Sequence, residues 1–222
     1  MRRKLIESDR SLIYTYHMTE LSRPHLGRPV DHAARAARRQ QIMDGARSCF
    51  RLRGFHAAGT AEIAAAAGVS VANLYQYFAS KDDLVVAITE EDLSADLALL
   101  ATIKAADSMQ AAMALAVEAI TKEAADPSAS RLRLEVTTEA TRNLAVAEVV
   151  LQAERMLREG LAALIGQWKI RGEVRADLDP VVGAFALLCL IDGAFARVAT
   201  GVLSAQSAAD ELLGSIQALL RS

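Results

Sequence analysis

The amino-acid sequence predicts an all-α protein, and three features of its composition indicate this fold class. Only 5% of the 222 residues are aromatic, β-branched runs are short, and alanine is abundant. Because alanine loses no side-chain entropy in a helix, this composition favours helices over strands. With 52% hydrophobic residues, the chain can also bury a sizeable core. We therefore expect a small and a larger helical domain.

Charge is distributed unevenly along the chain. Residues 1–81 hold 13 Lys and Arg against 6 Asp and Glu, whereas residues 82–222 hold 12 against 21. A basic part with net charge +7 therefore precedes an acidic part with net charge −9. The charge balance alone is compatible with a nucleic-acid partner for the first part, or with a chance concentration of charge near one terminus.

The first 30 residues show no sustained hydrophobic period and end in Leu26-Gly27-Arg28-Pro29, where glycine and proline both interrupt regular structure. We expect residues 1–30 to form a flexible arm. They lack the apolar stretch of a signal peptide. Translation that starts at Met18 instead of Met1 is a further hypothesis, and function should not depend on residues 1–17.

The most apolar run of the chain, residues 181–191, is too short to span a bilayer and is followed by Asp192 and Arg197. We expect a cytoplasmic protein with no membrane partner. Cys49 and Cys189 lie far apart within apolar helical patterns. This context predicts two small buried side chains in a reducing compartment, and no disulfide.

Residues 31–84 are predicted to form a small three-helix domain. Apolar residues recur at helical spacing over residues 32–53, which predicts the first helix. A second helix begins at Thr60, whose hydroxyl can accept from a free backbone N–H. It ends before Gly68-Val69-Ser70, which combines a residue that tolerates positive φ, an apolar side chain and a new N-cap. A third helix then covers residues 71–78.

Residues 85–222 are predicted to form a larger helical body. Ser80-Lys81-Asp82-Asp83 is similar to a cap with an acid at the third helical position, so it should start a long helix. Asp126-Pro127 and Asp179-Pro180 each combine a capping acid with a proline suited to the first turn. Ser207, with Asp210, is expected to cap the last helix. The predicted helices cover residues 81–100, 109–124, 127–143, 145–170, 180–202 and 208–220.

The second and third helices, joined by a glycine-containing turn, have the arrangement of a helix-turn-helix, whose second helix enters the major groove of DNA. Leu74 and Phe78 lie one turn apart and face inward. Four polar side chains therefore cannot all be buried: Asn73, Tyr75, Gln76 and Tyr77. Amides can pair with adenine, and tyrosine hydroxyls donate to phosphates. Lys81 lies in the first turn of the following helix. It would either contact a phosphate at that helix end or remain a solvated lysine beside two aspartates.

Residues 42–84 resemble the DNA-binding domain of the tetracycline-repressor (TetR) family. The family's features occur in order as Gly54-Phe55, Thr60, Glu62-Ile63-Ala64, Ala67-Gly68-Val69-Ser70, Leu74-Tyr75-Gln76-Tyr77-Phe78 and Ser80-Lys81-Asp82-Asp83-Leu84. The resemblance implies phosphate contacts from Thr60, Tyr75, Tyr77 and Lys81. It implies base-edge contacts from Val71, Ala72, Asn73 and Gln76, and we count Ser70 among the DNA-binding positions. Ala72 stands where the family commonly has glycine.

For the body, the resemblance implies a helical domain that dimerises and binds a small-molecule effector. The sequence supports dimerisation separately, because the helix predicted over residues 180–202 is apolar on more than one face. Such a helix must be buried in its own core, against a second chain, or both. With the helix over residues 145–170 it would form a four-helix interface about a two-fold axis.

Two sets of side chains are candidates for the effector site. The apolar set is Met109, Met113, Trp168 and Phe185. The polar set, at one-turn spacing, is Glu135, Thr138, Glu139 and Arg142. Ordinary core packing is the alternative for the first set, and a solvated charged face is the alternative for the second.

An enzyme finds little support in the sequence. The four histidines lack metal-ligand spacing, and neither a phosphate-cradling glycine loop nor a nucleophile elbow occurs. We therefore expect no catalytic residue, no metal and no cofactor. A protein-interaction module could use the same helices, but it would not need a polar third helix joined to a basic head. The resemblance implies a repressor that binds a palindromic operator in double-stranded DNA as a homodimer and is released by an unidentified effector; activation of some promoters stays open.

Overall fold

The computed structural model describes residues 31–221, so the arm expected over residues 1–30 lies outside the described part. Residues 31–221 form nine α-helices and no strand, and the predicted all-α fold is confirmed. The helices are α1 (His32–Ala57), α2 (Thr60–Ala66), α3 (Val71–Tyr75), α4 (Lys81–Lys104), α5 (Met109–Ala124), α6 (Pro127–Ala140), α7 (Leu144–Ile170), α8 (Pro180–Ala199) and α9 (Ala205–Leu220).

Several helix starts follow the capping chemistry expected from the sequence. Ser80 and Asp83 form a reciprocal capping box, in which each side chain accepts from the other residue's backbone N–H at 3.0 Å. Asp126 and Asp179 cap α6 and α8, with proline in the first turn of each helix. Ser70 caps α3 by accepting from the backbone N–H of Asn73 at 3.1 Å. These caps fix where the chain changes direction.

Two predicted caps are wrong, one by a single residue and the other by three. Thr60 is the first residue of α2, not its cap, because Gly59 holds the extended cap conformation. The carboxylate of Glu62 accepts from the backbone N–H of Gly59 at 3.3 Å. The last helix begins at Ala205 because Ser204, not Ser207, supplies the capping oxygen.

The third helix is shorter than expected, because its last turn tightens. The backbone N–H of Gln76 donates to the carbonyl of Asn73 at 3.1 Å, and that of Tyr77 donates to the carbonyl of Leu74 at 3.0 Å. Bonds across three residues are the 3₁₀ pattern that commonly closes a helix. The chain then turns so that Phe78 enters the core, and regular helix ends at residue 75 instead of 78.

The small domain is built around a first hydrophobic core, formed by α1, α2, α3 and the first half of α4. Its largest buried members are Ile42, Phe50, Phe55, Ile63, Leu74, Phe78 and Leu84. The core continues along α4 as far as Ile88, and Leu132 of α6 and Val146 of α7 also pack into it. The domain boundary predicted at residue 84 therefore falls inside this core.

The body has a separate second core, formed by the last turns of α4 and by α5, α7, α8 and α9. Its buried members include Met113, Ile165, Trp168, Leu187 and Phe195. Because α4 contributes to both cores, it is a continuous mechanical connection between the small domain and the body.

Helix α8 is strongly apolar and only partly covered. By length and composition it is the one helix among residues 31–221 that could cross a membrane, with a mean hydropathy of 1.9. Val181, Val182 and Phe185 are 59%, 61% and 52% exposed, although the opposite side of α8 is buried in the second core. Cys189, one further turn along, is exposed as well, so the expectation that it is buried is wrong for the single chain. We call these four residues the α8 face.

Candidate nucleic-acid interface and internal cavity

The amino-terminal end of α3 presents its side chains to solvent. Val71, Ala72 and Gln76 are exposed, and Asn73 is partly buried. The amide nitrogen of Asn73 donates to the side-chain oxygen of Gln76 at 3.0 Å. These two amides are the groups expected to contact base edges, and each has further hydrogen-bonding capacity beyond this mutual bond. Ser70 is exposed at the same helix start.

The turn that holds α3 in place is rigidly supported by α1. Gly68 has a φ of 62°, a left-handed conformation that glycine adopts without strain. The side-chain amide of Gln41 donates to the carbonyl of Ala67 at 2.6 Å. A Cβ on Gly45 would lie 2.7 Å from the backbone nitrogen of Ala67, so glycine permits the close approach of α1 and α2. With Leu74 fully buried, α3 has a fixed orientation.

A basic surface lies beside α3, at the start of α1. Arg35 and Arg39 place their guanidinium groups over the rings of Tyr77 and Phe78, 5.1 Å and 5.0 Å from the ring centroids. Within residues 31–221, neither arginine forms a salt bridge. Sequence reasoning noted the charge of this segment but assigned it no site residue. Tyr77 is half-buried beneath Arg35, so it is less accessible than Tyr75.

Lys81 and Thr60, two of the residues predicted to contact phosphates, lie at the starts of α4 and α2. The Lys81 ammonium donates to the carbonyl oxygens of Phe55, His56 and Ala58 at 2.6, 3.3 and 3.3 Å. These carbonyls follow the break in α1 at Gly54, where φ is 76°. Lys81 therefore ties the start of α4 to the end of α1, which is a structural role that the sequence did not reveal. Thr60 is partly exposed at the start of α2.

The polar set proposed for the effector site lies elsewhere, between α6 and the end of α1. Glu135 accepts from the backbone N–H of Phe55 at 3.2 Å. Glu139 is buried and pairs with His56 at 3.2 Å and with Arg142 at 2.9 Å. Thr138 is exposed. None of these four residues lines the cavity described next, because α6 packs against α1 and its carboxylates serve that junction.

The body encloses an apolar cavity of about 140 Å³. Met113 and Trp168 lie in its wall, as the sequence suggested for a ligand site, together with Leu100, Leu164 and Phe195. The other two apolar candidates are not brought to it: Met109 is packed in the second core outside the cavity wall, and Phe185 belongs to the exposed α8 face. Both had the right residue type at helical spacing, but they point away from the cavity.

Three charged residues at the cavity wall were not anticipated. The Arg133 guanidinium lies 3.3 Å from both carboxylate oxygens of Asp96 and 3.4 Å from that of Glu123. It also stacks on the Phe195 ring, 4.8 Å from the centroid. Asp96, Glu123 and Arg133 line a second, outer pocket of about 350 Å³ as well, so they form a polar partition between the two spaces. No sequence spacing could have grouped them, because they come from three different helices.

Burial perturbs the ionisation of this partition. It raises the pKa of the Glu123 carboxyl, and the nearby Arg133 only partly opposes that shift. Burial also works to lower the pKa of Arg133, but the surrounding carboxylates, led by Asp96 and Glu123, outweigh burial and raise it. Arg133 therefore remains a cation, and its positive charge does not fully offset the effect of burial on Glu123.

The outer pocket extends to the small domain through α4. Arg47 of α1 pairs with Glu91 at 2.8 Å and with Asp92 at 2.7 Å, and both acids lie on α4 one turn before Asp96. Helix α4 thus carries a carboxylate that pairs with Arg133 of α6 and carboxylates that pair with Arg47 of α1. Among residues 31–221, no group of three or more His, Cys, Asp or Glu side chains is arranged to hold a metal.

Two segments of the chain match known families. Residues 42–88 match the family described as bacterial regulatory proteins, tetR family. Residues 108–221, about half of the chain, match the family described as BetI-type transcriptional repressor, C-terminal.

Individual relatives extend this similarity. The chain is 28% identical over 160 residues to the HTH-type transcriptional regulator UidR of Escherichia coli K12, across 72% of this chain and 81% of UidR. It is 25% identical over 166 residues to the HTH-type transcriptional repressor AcnR of Corynebacterium glutamicum, across 73% of this chain and 82% of AcnR. The solved structure of Salmonella enterica GusR has a TM-score of 0.68 at 28% identity, and the match covers 88% of this chain and 98% of GusR.

Proposed function

Because this chain belongs to the TetR family of transcriptional regulators, we propose that it is a repressor that binds a palindromic operator as a homodimer and leaves it when a small molecule binds. Members of the family are regulators rather than enzymes. The observation that carries the DNA part is the exposed start of α3, held on a rigid core beside unpaired arginines. We assign residues 31–88 to DNA binding and residues 89–221 to the effector and the partner chain, in the cytoplasm.

Recognition of DNA would divide between two kinds of side chain. Asn73 and Gln76, with Val71 and Ala72, would meet base edges in the major groove, where an amide can pair bidentately with adenine. Tyr75, Tyr77, Thr60 and Lys81 would donate to phosphates, with Ser70 at the helix start. Arg35 adds a cation beside them that can displace phosphate counterions. Base contacts would determine which DNA sequence is bound, and phosphate contacts would fix the position of the protein along the duplex.

The α8 face supports the homodimer. Val181, Val182 and Phe185 form a contiguous apolar surface at helical spacing, which a soluble monomer rarely leaves uncovered. Leu151 of α7 is also exposed. Packing α7 and α8 against their copies about a two-fold axis would bury these side chains in a four-helix interface. The two α3 helices would then read two half-sites about 34 Å apart.

Selection of bound sequences from a random DNA pool tests the proposal, followed by titration of the enriched sequence at several salt concentrations. We expect a palindrome whose binding weakens steeply with salt, because counterions are released from phosphates. Gln76→Ala should change the enriched sequence, whereas Gln206→Ala, at an exposed position of α9, should not. No enrichment over random DNA, or enrichment of a single half-site by a monomer, would contradict the proposal.

A further inference from the structure

The cavity in the body fits an apolar group of limited size. Its volume of about 140 Å³ is close to that of engineered cavities lined by aliphatic and aromatic side chains, which stay dry and bind benzene. Apart from the charged partition, its walls are apolar, and they include Trp168 and Phe195. One aromatic ring, or an alkyl chain of similar bulk, would therefore fill it.

The partition at the edge of this cavity carries an excess of negative charge. Asp96 and Glu123 share a single cation, Arg133, which both contact at about 3.3 Å or slightly more. The outer pocket adds three acids, Asp92, Glu154 and Asp192, and two cations, Arg47 and Arg51. These two cations do not offset the excess, because Arg47 pairs with Glu91 and Asp92, and Arg51 pairs with Asp126 outside the pocket. A ligand that reaches the partition meets more carboxylate than guanidinium.

The sign of that charge selects the ligand. An anionic head group would be placed against Asp96 and Glu123, and like charges at close approach strongly disfavour binding. A neutral head group would add no charge and would leave the excess of negative charge at the carboxylates unchanged. An ammonium group could donate to both of them and supply the missing positive charge. Burial raises the pKa of Glu123, which is consistent with a carboxylate that lacks full compensation.

We propose that the effector is an organic monocation, with one ring or its equivalent in the cavity and an ammonium group between Asp96 and Glu123. This inference rests on the proposed function, since it names the class of molecule that would release the operator. The ammonium would compete with Arg133 for its two carboxylates. Because Asp96 lies on α4, the same helix that holds Arg47 of α1, loss of the Arg133 contacts would be transmitted to the small domain.

The chain contains its own probe for this ligand. Trp168 is the single tryptophan of the sequence and lies in the cavity wall, so its fluorescence reports directly on occupancy. Three compounds with the same phenylethyl body and different head groups test the charge: phenethylamine, 2-phenylethanol and 3-phenylpropanoate. The full-length protein is titrated with each at neutral pH, with excitation of tryptophan alone.

We expect phenethylamine to half-saturate the protein at a concentration about tenfold lower than 2-phenylethanol, as for a hydrogen bond to a charged group. The carboxylate compound should bind most weakly. Glu123→Gln should remove most of the amine's advantage while keeping the size of the side chain. Glu118→Gln makes the same change on the exposed side of α5 and should leave all three affinities unchanged.

The outcomes separate the ligand class from the proposed function. Equal binding of amine and alcohol, or tightest binding of the carboxylate, overturns the inference on the wild-type protein alone, whether or not Glu123→Gln folds. An unchanged amine preference in a folded Glu123→Gln variant overturns the assigned site. Release of the selected operator is measured separately: amine binding without release contradicts the effector part of the proposed function and leaves the ligand class standing.

Discussion

The two hydrophobic cores of this protein differ in how completely one chain fills them. The first core closes around α1, α2, α3 and the start of α4, and two polar side chains beside it, Lys81 and Gln41, donate to backbone carbonyls of the same domain. The second core encloses a cavity, holds a partly compensated charge cluster and leaves the α8 face uncovered.

The proposed function accounts for this contrast by the partners that each domain would contact. DNA presents the same phosphates and grooves to every protein that binds it. The first domain can therefore be fully packed without DNA and can hold α3 rigidly. In the proposed function, the body accepts two further components, a second chain and a small molecule. Its empty volume and exposed apolar face are the places that those components would occupy.

The largest expected effect comes from truncating matched methionines in the two cores. Met43 is fully packed in the first core, whereas Met113 faces the cavity. Met43→Ala should lower the free energy of unfolding by about 3 to 5 kcal/mol, because it opens a new void in packed surroundings. Met113→Ala should cost only about 1 to 2 kcal/mol, since the side chain already has empty space on one side. Urea unfolding at one fixed protein concentration measures both; an equal loss would contradict the contrast between the cores.

A second prediction concerns the uncovered face of α8. Replacing Val182 and Phe185 together by Asp should weaken the homodimer by about 2 to 4 kcal/mol, because interface centres tolerate buried charge poorly. Leu52→Asp is the control: Leu52 is 84% exposed but lies on α1, outside the α8 face. Light scattering after size exclusion should show a monomer for the double variant and an unchanged dimer for the control. A double variant that stays dimeric would place the interface elsewhere.

The sequence predicted the helices of both domains, but it predicted the exposed surface of the first domain better than the cavity wall of the body, for a physical reason. Caps, turn glycines and the inward pair Leu74 and Phe78 are local features, so nine helices and the exposed start of α3 could be inferred from neighbouring residues. The Arg133 partition could not, because tertiary packing alone brings Asp96 and Glu123 to it. Residue type alone was also insufficient to predict which apolar side chains line the cavity.

Helix α6 shows how a correct periodicity can still mislead. Glu135 and Glu139 do share one helix face, as their spacing requires. That face packs on the end of α1, where the two carboxylates bind the backbone of Phe55 and the His56 side chain. Which face of a body helix meets a cavity, and which meets the other domain, depends on packing that no local pattern specifies.

A third, smaller effect is expected at Lys81, where the two domains' connecting helix begins. Lys81→Met keeps the aliphatic stem but leaves the carbonyls of Phe55 and Ala58 without their charged donor, which should cost about 1 to 2 kcal/mol of unfolding free energy. Lys104→Met, in the exposed last turn of the same helix, should cost much less. If Lys81→Met lowers only operator affinity and leaves stability unchanged, Lys81 acts through phosphate alone and the structural role is wrong.

The smallest effect should appear in the salt dependence of DNA binding. Arg35 lies beside α3 and has no carboxylate partner within residues 31–221, whereas Arg53 pairs with Glu62 at 2.7 Å. Arg35→Ala should reduce the slope of log affinity against log salt by about 0.9 per protomer, the value for one phosphate contact. Arg53→Ala should leave the slope nearly unchanged, since its charge is already compensated.

Arg35→Lys separates charge from stacking in this last experiment. A lysine keeps the phosphate charge but loses the planar group that lies over the Tyr77 ring. If the cation itself contacts DNA, Arg35→Lys should retain the wild-type slope. If Arg35 acts only by holding Tyr77 in place, both substitutions should lower affinity at every salt concentration without changing the slope. Fluorescence anisotropy on the selected operator, across a series of salt concentrations, distinguishes the two. Lines that coincide in slope and in affinity for all variants would remove Arg35 from the interface.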